Sequence, residues 1–289
     1  MVVDHGARVK PAAGRSFWKM SGSGNDFIFF DSRDCHGPDA LENPREIVSL
    51  CAPHLGVGAD GVVFIHPSHE SAFAIHYYNA DGSRATLCGN ASLCAAQMAV
   101  MLGLADCDRM FSFMSDAGLI AASATTNGLA TVRLAPVEYM ETVARELPVA
   151  GEVRIGYAVV GVPHLVVLVE DLEQVDVPAR GHVLRHSSVR APVGANVNFA
   201  APTAELGGWS VRTYERGVEA ETLACGTGAV ATAGCLRAWG VASTTGPVAL
   251  KTASGKVLSV SLPVPPDAGW SELSGEGRVV YRGVLERYR

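Results

Sequence analysis

The sequence predicts an α+β fold of two pseudo-symmetric domains, each a set of strands wrapped around a central buried helix. The main observation is a repeat, because residues 78–94 resemble residues 214–230: Tyr and polar residues, then Leu, Cys, Gly and a run of small residues. The constant spacing of 137 residues joins Cys88 to Cys225 and Gly103 to Gly240. A spacing kept over both a motif and the helix behind it indicates internal duplication.

The repeat extends upstream of the cysteine motifs. Residues 25–31 correspond to residues 162–168 at the same spacing, and residues 58–62 correspond to residues 194–198 at a spacing of 136. Two halves in the same order predict two domains related by a pseudo-two-fold axis, with both cysteine motifs lining the cleft between them. We expect a disordered tail at 1–15, a first half at 16–140 completed by a strand at 277–289, and a second half at 141–276.

Strands in the first half are predicted where short apolar runs are rich in β-favouring residues. The helix at 42–51 has Pro44 near its start and Ile47, Val48 and Cys51 on one face. The helix at 91–102 is rich in Ala and Met, which predicts burial on all sides. The predicted strands are 16–20, 27–31, 62–65, 73–78, 110–114, 119–124 and 130–134.

The second half repeats this style after a polar link at 136–146. Its Ala-rich helix is predicted at 227–238, and the residues between 169 and 210 are interpreted as a polar connection. The Pro-rich residues 263–266 predict a turn or loop. The predicted strands are 157–160, 165–169, 210–214, 248–252, 257–262 and 279–284. Strands and helices do not alternate throughout, which argues against a doubly wound sheet. The glycine pairs at 22–24 and 226–228 lack the full spacing of a dinucleotide loop.

Composition limits the possible functions. The 289 residues suffice for two domains, and charged residues make up 18% of them. A net charge of −6 and a pI of about 5.8 give no indication of a nucleic-acid or membrane-surface partner. No apolar run approaches the roughly 20 residues of a spanning helix, and no secretory signal is visible. We therefore expect a cytoplasmic protein that acts on a small molecule; a homodimer is one assembly it could form.

The seven cysteines are odd in number and form no C-x-x-C pair, so neither a disulfide framework nor a cysteine-based zinc site is expected. Free cysteines are usually small buried hydrophobic residues. We expect that role for Cys35, Cys51, Cys94, Cys107 and Cys235.

Cys88 and Cys225 differ because each lies just before a buried helix. A helix N-terminus favours the thiolate and also binds carboxylates. Two such thiols could act on one substrate, one removing a proton from a carbon beside a carboxylate and the other returning a proton on the opposite face. That chemistry needs no cofactor or metal. The alternative is two structural cysteines on buried helices.

At these motifs the sequence resembles the diaminopimelate epimerase family, the pyridoxal-independent epimerases of the lysine and peptidoglycan pathway. Seven further segments are similar to the family over the range from residue 19 to the C-terminus: 19–27, 56–61, 79–83, 88–90, 163–164, 196–199 and 214–217. The most specific is Glu221-Thr222-Leu223-Ala224-Cys225-Gly226-Thr227-Gly228.

The resemblance implies Cys88 and Cys225 as base and acid, with His164 and Glu215 assisting thiol deprotonation. It also implies that backbone N–H groups at the two helix starts hold the reacting carboxylate, and that Arg216 holds the distal carboxylate. An Arg fork suits a carboxylate in a bidentate way. The implied substrate-binding residues are Asn25, Asp60, Asn79, Gly89, Asn90, Asn196, Arg216, Gly226 and Thr227.

Two departures from the family pattern stand out. The family usually has Cys-Gly-Asn-Gly-Ala-Arg-Cys, whereas this chain has Ala91-Ser92-Leu93 after Asn90, so a packing change is expected on that helix. The family has Asn before Pro163-His164, and here the residue is Val162.

The leading hypothesis is epimerisation of LL-diaminopimelate to the meso form. The alternatives are a racemase of another amino acid and a non-catalytic amino-acid-binding protein.

Overall fold

A computed structural model describes residues 13–35, 39–203, 207–263 and 269–286. The chain divides into two compact units. The first unit comprises the described residues up to Ala130 and from Gly277 onwards, and the second is Thr131–Glu276. Residues 1–12 of the predicted tail and residues 264–266 of the predicted loop lie outside the described residues. Arg15, which was assigned to the tail, is buried and begins the first strand.

The first unit contains two helices and a set of mainly antiparallel strands. Its helices are α1 (Pro44–Cys51) and α2 (Gly89–Met101). Its strands are β1 (Arg15–Gly22), β2 (Asn25–Asp31), β3 (Gly61–His66), β4 (Ala74–Asn79), β5 (Arg84–Ala85), β6 (Phe111–Ser115) and β7 (Gly118–Ala124). β8 (Leu129–Leu134) and β17 (Ser271–Leu285) each begin in one unit and end in the other.

The strand register of the first unit brings the ends of three strands together at one edge of the sheet. β17, β1 and β2 are antiparallel, β2 and β3 are parallel, and β3 and β4 are antiparallel. Phe27 lies opposite Gly61, which in turn lies opposite Asn79. The start of β2, the start of β3 and the end of β4 therefore meet at the same edge.

The helix α2 is the centre of the first unit. Residues 89–99 of this helix are all buried, which confirms the prediction of a helix enclosed on all sides. It packs against β1 and β7. The other helix, α1, covers a separate core against β3. That core comprises Phe17, Ile28, Phe30, Leu41, Ile47, Leu50, Cys51, Val62, Phe64, Tyr78 and Leu285.

The second unit has the same plan. Its helices are α3 (Val177–Arg185) and α4 (Gly226–Ala238). Its strands are β9 (Tyr139–Glu141), β10 (Glu152–Val160), β11 (Val162–Val169), β12 (Asn196–Pro202), β13 (Trp209–Glu215), β14 (Ala220–Thr222), β15 (Val248–Lys251) and β16 (Val257–Ser261). The helix α4 packs against β10, β11, β12 and β16, while α3 packs against β12 and β13.

The duplication is visible in the geometry. The helices α2 and α4 each have 13 residues and begin 137 residues apart. The parallel pair β2–β3 has its counterpart in the parallel pair β11–β12. The positive φ angles of Gly103 (67°) and Gly240 (72°) end the two helices in the same left-handed conformation. The predicted α+β class with two similar halves is therefore confirmed.

Four of the elements named above were missed in the second unit. The polar link contains β9, the supposed polar connection contains α3 and β12, and β14 lies between β13 and α4. The helix α3 carries a visible start signal, because the Asp176 side chain accepts from the N–H of Ala179 and Pro178 lies at the second helical position. Its exposed residues include Pro178, Ala179 and Val183, so apolar and polar residues do not separate onto two faces of the helix.

The cysteine predictions were correct in part. Cys51, Cys94 and Cys235 are buried, and burial raises the pKa of the Cys51 and Cys235 thiols to about 12. Cys35 and Cys107 are only half-buried, so their predicted burial was wrong. Both lie outside the strands and helices. Within the described residues, none of the helices combines the length and apolar character needed to cross a bilayer.

Candidate active site

Cys88 and Cys225 cap the two buried helices. Each is the N-cap residue, with φ and ψ of −133° and 119° for Cys88 and of −132° and 114° for Cys225. The Cys88 Sγ accepts from the N–H of Ala91 at 3.5 Å, and the Cys225 Sγ lies 3.7 Å from the Thr227 Oγ1. Both thiols are thus held at the positive end of a helix, which favours the thiolate.

Small residues keep these helix starts close to their surroundings. A Cβ on Gly228 would lie 2.2 Å from the Asn198 Oδ1 and 3.2 Å from the Cys225 Cβ. In the first unit, a Cβ on Gly22 would lie 2.5 Å from the backbone oxygen of Asn90. Because Gly22 and Gly228 have no Cβ, a strand and the start of the buried helix can approach each other closely in each half.

In the first unit the predicted site residues Asn25, Asp60 and Asn90 are joined directly. The Asn25 side chain donates to Asp60 Oδ2 at 3.0 Å and accepts from the Asn90 side chain at 2.6 Å. The backbone N–H of Asp26 also donates to Asp60 Oδ2 at 3.0 Å. The orientation of the Asn25 amide is therefore determined by its two neighbours.

A buried lysine, Lys19, supports this cluster, although it was not among the predicted site residues. The Lys19 ammonium lies 2.7 Å from Asp26 Oδ2 and contacts the backbone oxygen of Gly58. The Lys19 side chain is 8% exposed and that of Asp26 is 39% exposed, so the lysine is buried whereas its carboxylate partner remains open to water. Lys19 thus balances the charge of Asp26, one of the two carboxylates next to Asn25.

Asn79 is held at the same edge by its own turn. Its backbone N–H donates to the Ser83 carbonyl at 2.9 Å, and its side chain donates to the Ser83 Oγ at 3.0 Å. The next N–H, of Ala80, donates to the Asp60 carbonyl at 3.1 Å. Asp60 therefore links the turn that carries Asn79 to the turn that carries Asn25.

In the second unit Asn196 and Arg216 are joined through the backbone. The N–H of Arg216 donates to Asn196 Oδ1 at 2.8 Å, and the guanidinium donates to the Val193 carbonyl at 3.4 Å. Glu215 accepts from the Thr222 hydroxyl at 2.7 Å. The chain around Arg216 is thereby fixed at the end of β13.

His164 lies deeper than the other predicted residues and has a partner that was missed. Asn198 donates to His164 Nδ1 at 3.2 Å and to the Leu165 carbonyl at 3.1 Å, while its oxygen accepts from Thr213 at 3.0 Å. Asn198 follows Asn196 by two residues in β12, so both lie on one face of the strand. That spacing is the signal that could have identified Asn198.

The imidazole of His164 is neutral at physiological pH. Burial, assisted by the nearby charge of Arg216, lowers its pKa from 6.5 to about 3. Its Nδ1 accepts from Asn198, so the proton lies on Nε2, which is buried and has no hydrogen-bond partner within the described residues. A ring with so low a pKa is a weak base.

We expect this burial to make stability depend on pH. Between about pH 6.5 and pH 3 the unfolded chain binds a proton at His164 that the native state does not, so unfolding becomes easier as pH falls. The free energy of unfolding of the wild type relative to His164→Asn should fall by up to about 1.4 kcal/mol per pH unit below pH 6.5. Denaturant unfolding of both proteins from pH 7 to pH 4 measures this difference. A constant difference over that range would show that His164 takes up its proton as readily in the native state as in the unfolded chain, which would contradict the lowered pKa.

Comparisons with known proteins agree with this fold. A PhzF-family phenazine biosynthesis protein from Bacillus anthracis superposes with a TM-score of 0.73 at 15% identity, covering 93% of this chain and 98% of that one. A probable proline racemase from Agrobacterium radiobacter superposes with a TM-score of 0.65 at 16% identity, covering 93% and 92%. At such identities the likeness concerns the fold alone.

Sequence comparison identifies the family. The diaminopimelate epimerase family profile matches residues 17–144 and 156–262. A diaminopimelate epimerase from Gemmatimonas aurantiaca is 44% identical over 285 residues, covering 93% of this chain and 99% of the relative. One from Archaeoglobus fulgidus is 33% identical, covering 93% and 96%. The chain is thus an isomerase of the amino-acid racemase and epimerase class. Within that class it belongs to the diaminopimelate epimerase family.

Proposed function

We propose that this protein interconverts LL- and meso-diaminopimelate by proton transfer at Cα between two cysteines and the substrate. The observation that carries the proposal is the matched pair of thiols, each capping the buried helix of one half with the same backbone conformation. Duplication alone would also repeat a structural cysteine, but such a residue is usually fully buried, whereas Cys88 and Cys225 are both half-buried. Family membership supplies the substrate class.

In the proposed reaction one thiolate removes the Cα proton, and the electron pair of the C–H bond remains on Cα as a carbanion. The second thiol then gives its proton to the opposite face of Cα and becomes a thiolate. The configuration is inverted, and the protonation states of the two cysteines are exchanged after each turnover. No electrons are gained or lost, and no cofactor takes part.

The substrate carboxylate next to Cα needs strong stabilisation, because the carbanion spreads charge into it. We propose that N–H groups of Gly89, Asn90, Gly226 and Thr227 at the two helix starts provide it. Preorganised donors of this kind act where charge develops in the transition state. The helix dipoles add to the effect.

The polar residues of each half would hold the rest of the substrate. We propose that Asn25 and Asn79 contact it from the first unit and that Asn196, Glu215 and Arg216 contact it from the second. Asp60 links the turns of Asn25 and Asn79, so we assign it to orienting them. His164 has a pKa of about 3, so we propose that it positions neighbouring groups through Asn198 and takes up no proton.

Exchange of the Cα proton with solvent tests this function. The enzyme is incubated in D2O with LL-diaminopimelate, meso-diaminopimelate and a panel of other amino acids, and deuterium at Cα is followed by mass spectrometry. We expect exchange and interconversion with diaminopimelate. Exchange only with an amino acid that lacks a distal carboxylate would support a racemase of different specificity. Binding without exchange would support a binding protein.

We propose a cytoplasmic setting for this reaction, because two reduced thiols are needed and disulfides rarely persist in that compartment. The half-buried state of Cys88 and Cys225 leaves both accessible to thiol reagents.

Val162 provides a test of specificity. It begins β11, in the position that corresponds to Asn25 in β2, and it cannot form a hydrogen bond with a substrate through its side chain. An unpaired buried polar group costs roughly 1–3 kcal/mol, so another group or a water must serve the substrate here. We expect Val162→Asn to lower KM for diaminopimelate or leave it unchanged, as measured by steady-state epimerisation.

The matched control is Val159→Asn, on the neighbouring strand β10, which should not lower KM. Two results together would contradict diaminopimelate as the substrate. These are a rise in KM for diaminopimelate in Val162→Asn and a wild type that turns over a different amino acid in preference to diaminopimelate.

A further inference from the structure

Two histidines lie side by side on the sheet of the first unit. His66 ends β3 and His76 lies in β4, and the antiparallel register places Phe64 opposite His76 and His66 opposite Ala74. The histidines are therefore diagonal neighbours on one face of the sheet. Their ring centroids are 4.4 Å apart.

A glutamate from another segment completes the group. Glu42 precedes α1, and the packing of that helix against β3 brings its carboxylate over the two rings. Glu42 Oε2 lies 3.0 Å from His66 Nε2, and Glu42 Oε1 contacts His76 Nδ1. The three ligand atoms lie within 4.8 Å of one another. Within the described residues no other group of His, Cys, Asp and Glu converges in this way.

We propose that Glu42, His66 and His76 form a binding site for a divalent transition metal ion, with Zn²⁺ as the favoured ion. Two imidazole nitrogens and one carboxylate oxygen suit Zn²⁺, which takes nitrogen and oxygen ligands at about 2.0–2.2 Å. Mg²⁺ and Ca²⁺ prefer all-oxygen sites. Water would fill the fourth position, since three protein ligands leave a tetrahedral ion open on one side.

The Glu42–His66 contact needs little adjustment to hold an ion, whereas the closer contact between Glu42 and His76 must open further. Ligand atoms around a tetrahedral Zn²⁺ are about 3.4 Å apart, a value that follows from bond lengths near 2.1 Å. The Glu42–His66 separation of 3.0 Å needs to open by only a few tenths of an ångström. The side chains of His66 and His76 are 18% and 31% exposed, so an ion can enter from solvent.

The surroundings also favour a metal site. The Tyr78 hydroxyl donates to Glu42 Oε1 at 3.2 Å, and such outer hydrogen bonds orient metal ligands. The nearby cation Arg84 is bound in a bidentate way by Asp116, at 2.5 and 2.7 Å. Its charge is therefore balanced, and it does not oppose a second cation.

The metal would act as a structural clamp. Glu42 belongs to the segment before α1, whereas both histidines belong to the β3–β4 hairpin, so an ion would join these two parts of the first unit. None of the three residues is among those proposed to act on the substrate. The proposal therefore stands independently of the epimerase function.

Calorimetric titration of the full chain with Zn²⁺ tests the site. We expect one ion to bind with an affinity that weakens at least tenfold in His76→Gln and in Glu42→Gln. The matched control is His69→Gln, since His69 is an exposed residue in the loop of the same hairpin. That variant should bind as the wild type does. The Tm of the wild type should rise with Zn²⁺, and that rise should be lost in His76→Gln.

Cysteine thiols could also bind Zn²⁺, so Co²⁺ serves as a second probe. Thiolate ligation gives Co²⁺ a strong charge-transfer absorption in the near ultraviolet, whereas ligation by two histidines and a carboxylate gives only the weaker visible bands. We expect the visible bands alone at one equivalent, and their loss in His66→Gln. Binding that persists unchanged in both histidine variants, or a thiolate signal at the first equivalent, would overturn the proposal.

Discussion

Replacing either Cys88 or Cys225 with alanine should reduce the epimerisation rate of diaminopimelate at least 10²–10⁴-fold, the range for loss of a positioned acid or base. Both thiols act in every turnover, one as the base and the other as the acid, and their roles reverse with the direction of the reaction. Neither thiol is therefore dispensable. The fold should persist, because both residues precede their helices and neither side chain is fully buried. Steady-state rates in both directions, together with circular dichroism, measure the two effects.

The matched control is Cys107→Ala, at a half-buried cysteine whose thiol contacts Asp108 at 3.2 Å. This variant should keep the wild-type rate. Full activity in Cys88→Ala or Cys225→Ala would exclude the two-thiol mechanism. Retained Cα exchange with loss of interconversion in one variant would instead identify which thiol serves which face.

Replacing Gly228 with alanine should impair both stability and catalysis. The new Cβ would lie 2.2 Å from the Asn198 Oδ1, and the Asn198 amide is held by His164, Leu165 and Thr213. Overpacking of this kind typically costs about 1–3 kcal/mol. The displacement would also move Cys225, whose Cβ lies 3.2 Å from the new atom, so kcat should fall more than tenfold.

The control is the same substitution in the same helix at Gly234. There the added Cβ would lie 3.0 Å from the flexible end of Met140, which can move aside. Alanine also favours a helix interior over glycine by about 1 kcal/mol. Gly234→Ala should therefore keep its activity and unfold at the same or a higher temperature. Equal Tm values for the Gly228 and Gly234 variants would refute the tight contact at Gly228.

Most of the fold was predictable because of the repeat. A single apolar run is ambiguous, but two copies of Cys-Gly, each closely preceded by Leu and followed by small residues, locate both buried helices and their caps at once. The strands around them were found because buried strands carry continuous β-favouring runs. The missed helix α3 lies outside the segments in which the repeat was recognised, whereas β12 overlaps residues 194–198, where the repeat was recognised without a strand being predicted.

The site predictions rest on two kinds of signal. A thiol before a buried helix indicates reactive chemistry by itself, whereas the role of Arg216 was predicted only from the resemblance to the family. Asn198 and Lys19 were missed because each acts through neighbours distant in sequence, Lys19 through Asp26 and Gly58 and Asn198 through His164 and Thr213. Buried polar side chains of this kind are explained only by their hydrogen-bond partners.

Local order along the chain was enough to reveal the duplication, the α+β class, the family and the pair of cysteines at the helix starts. The depth of His164, the close contact at Gly228 and the meeting of Glu42 with His66 and His76 became visible only in the folded protein. These features depend on strand register and helix packing, which bring together residues far apart in sequence. Burial then changes the chemistry of the groups so joined, as the low pKa of His164 shows.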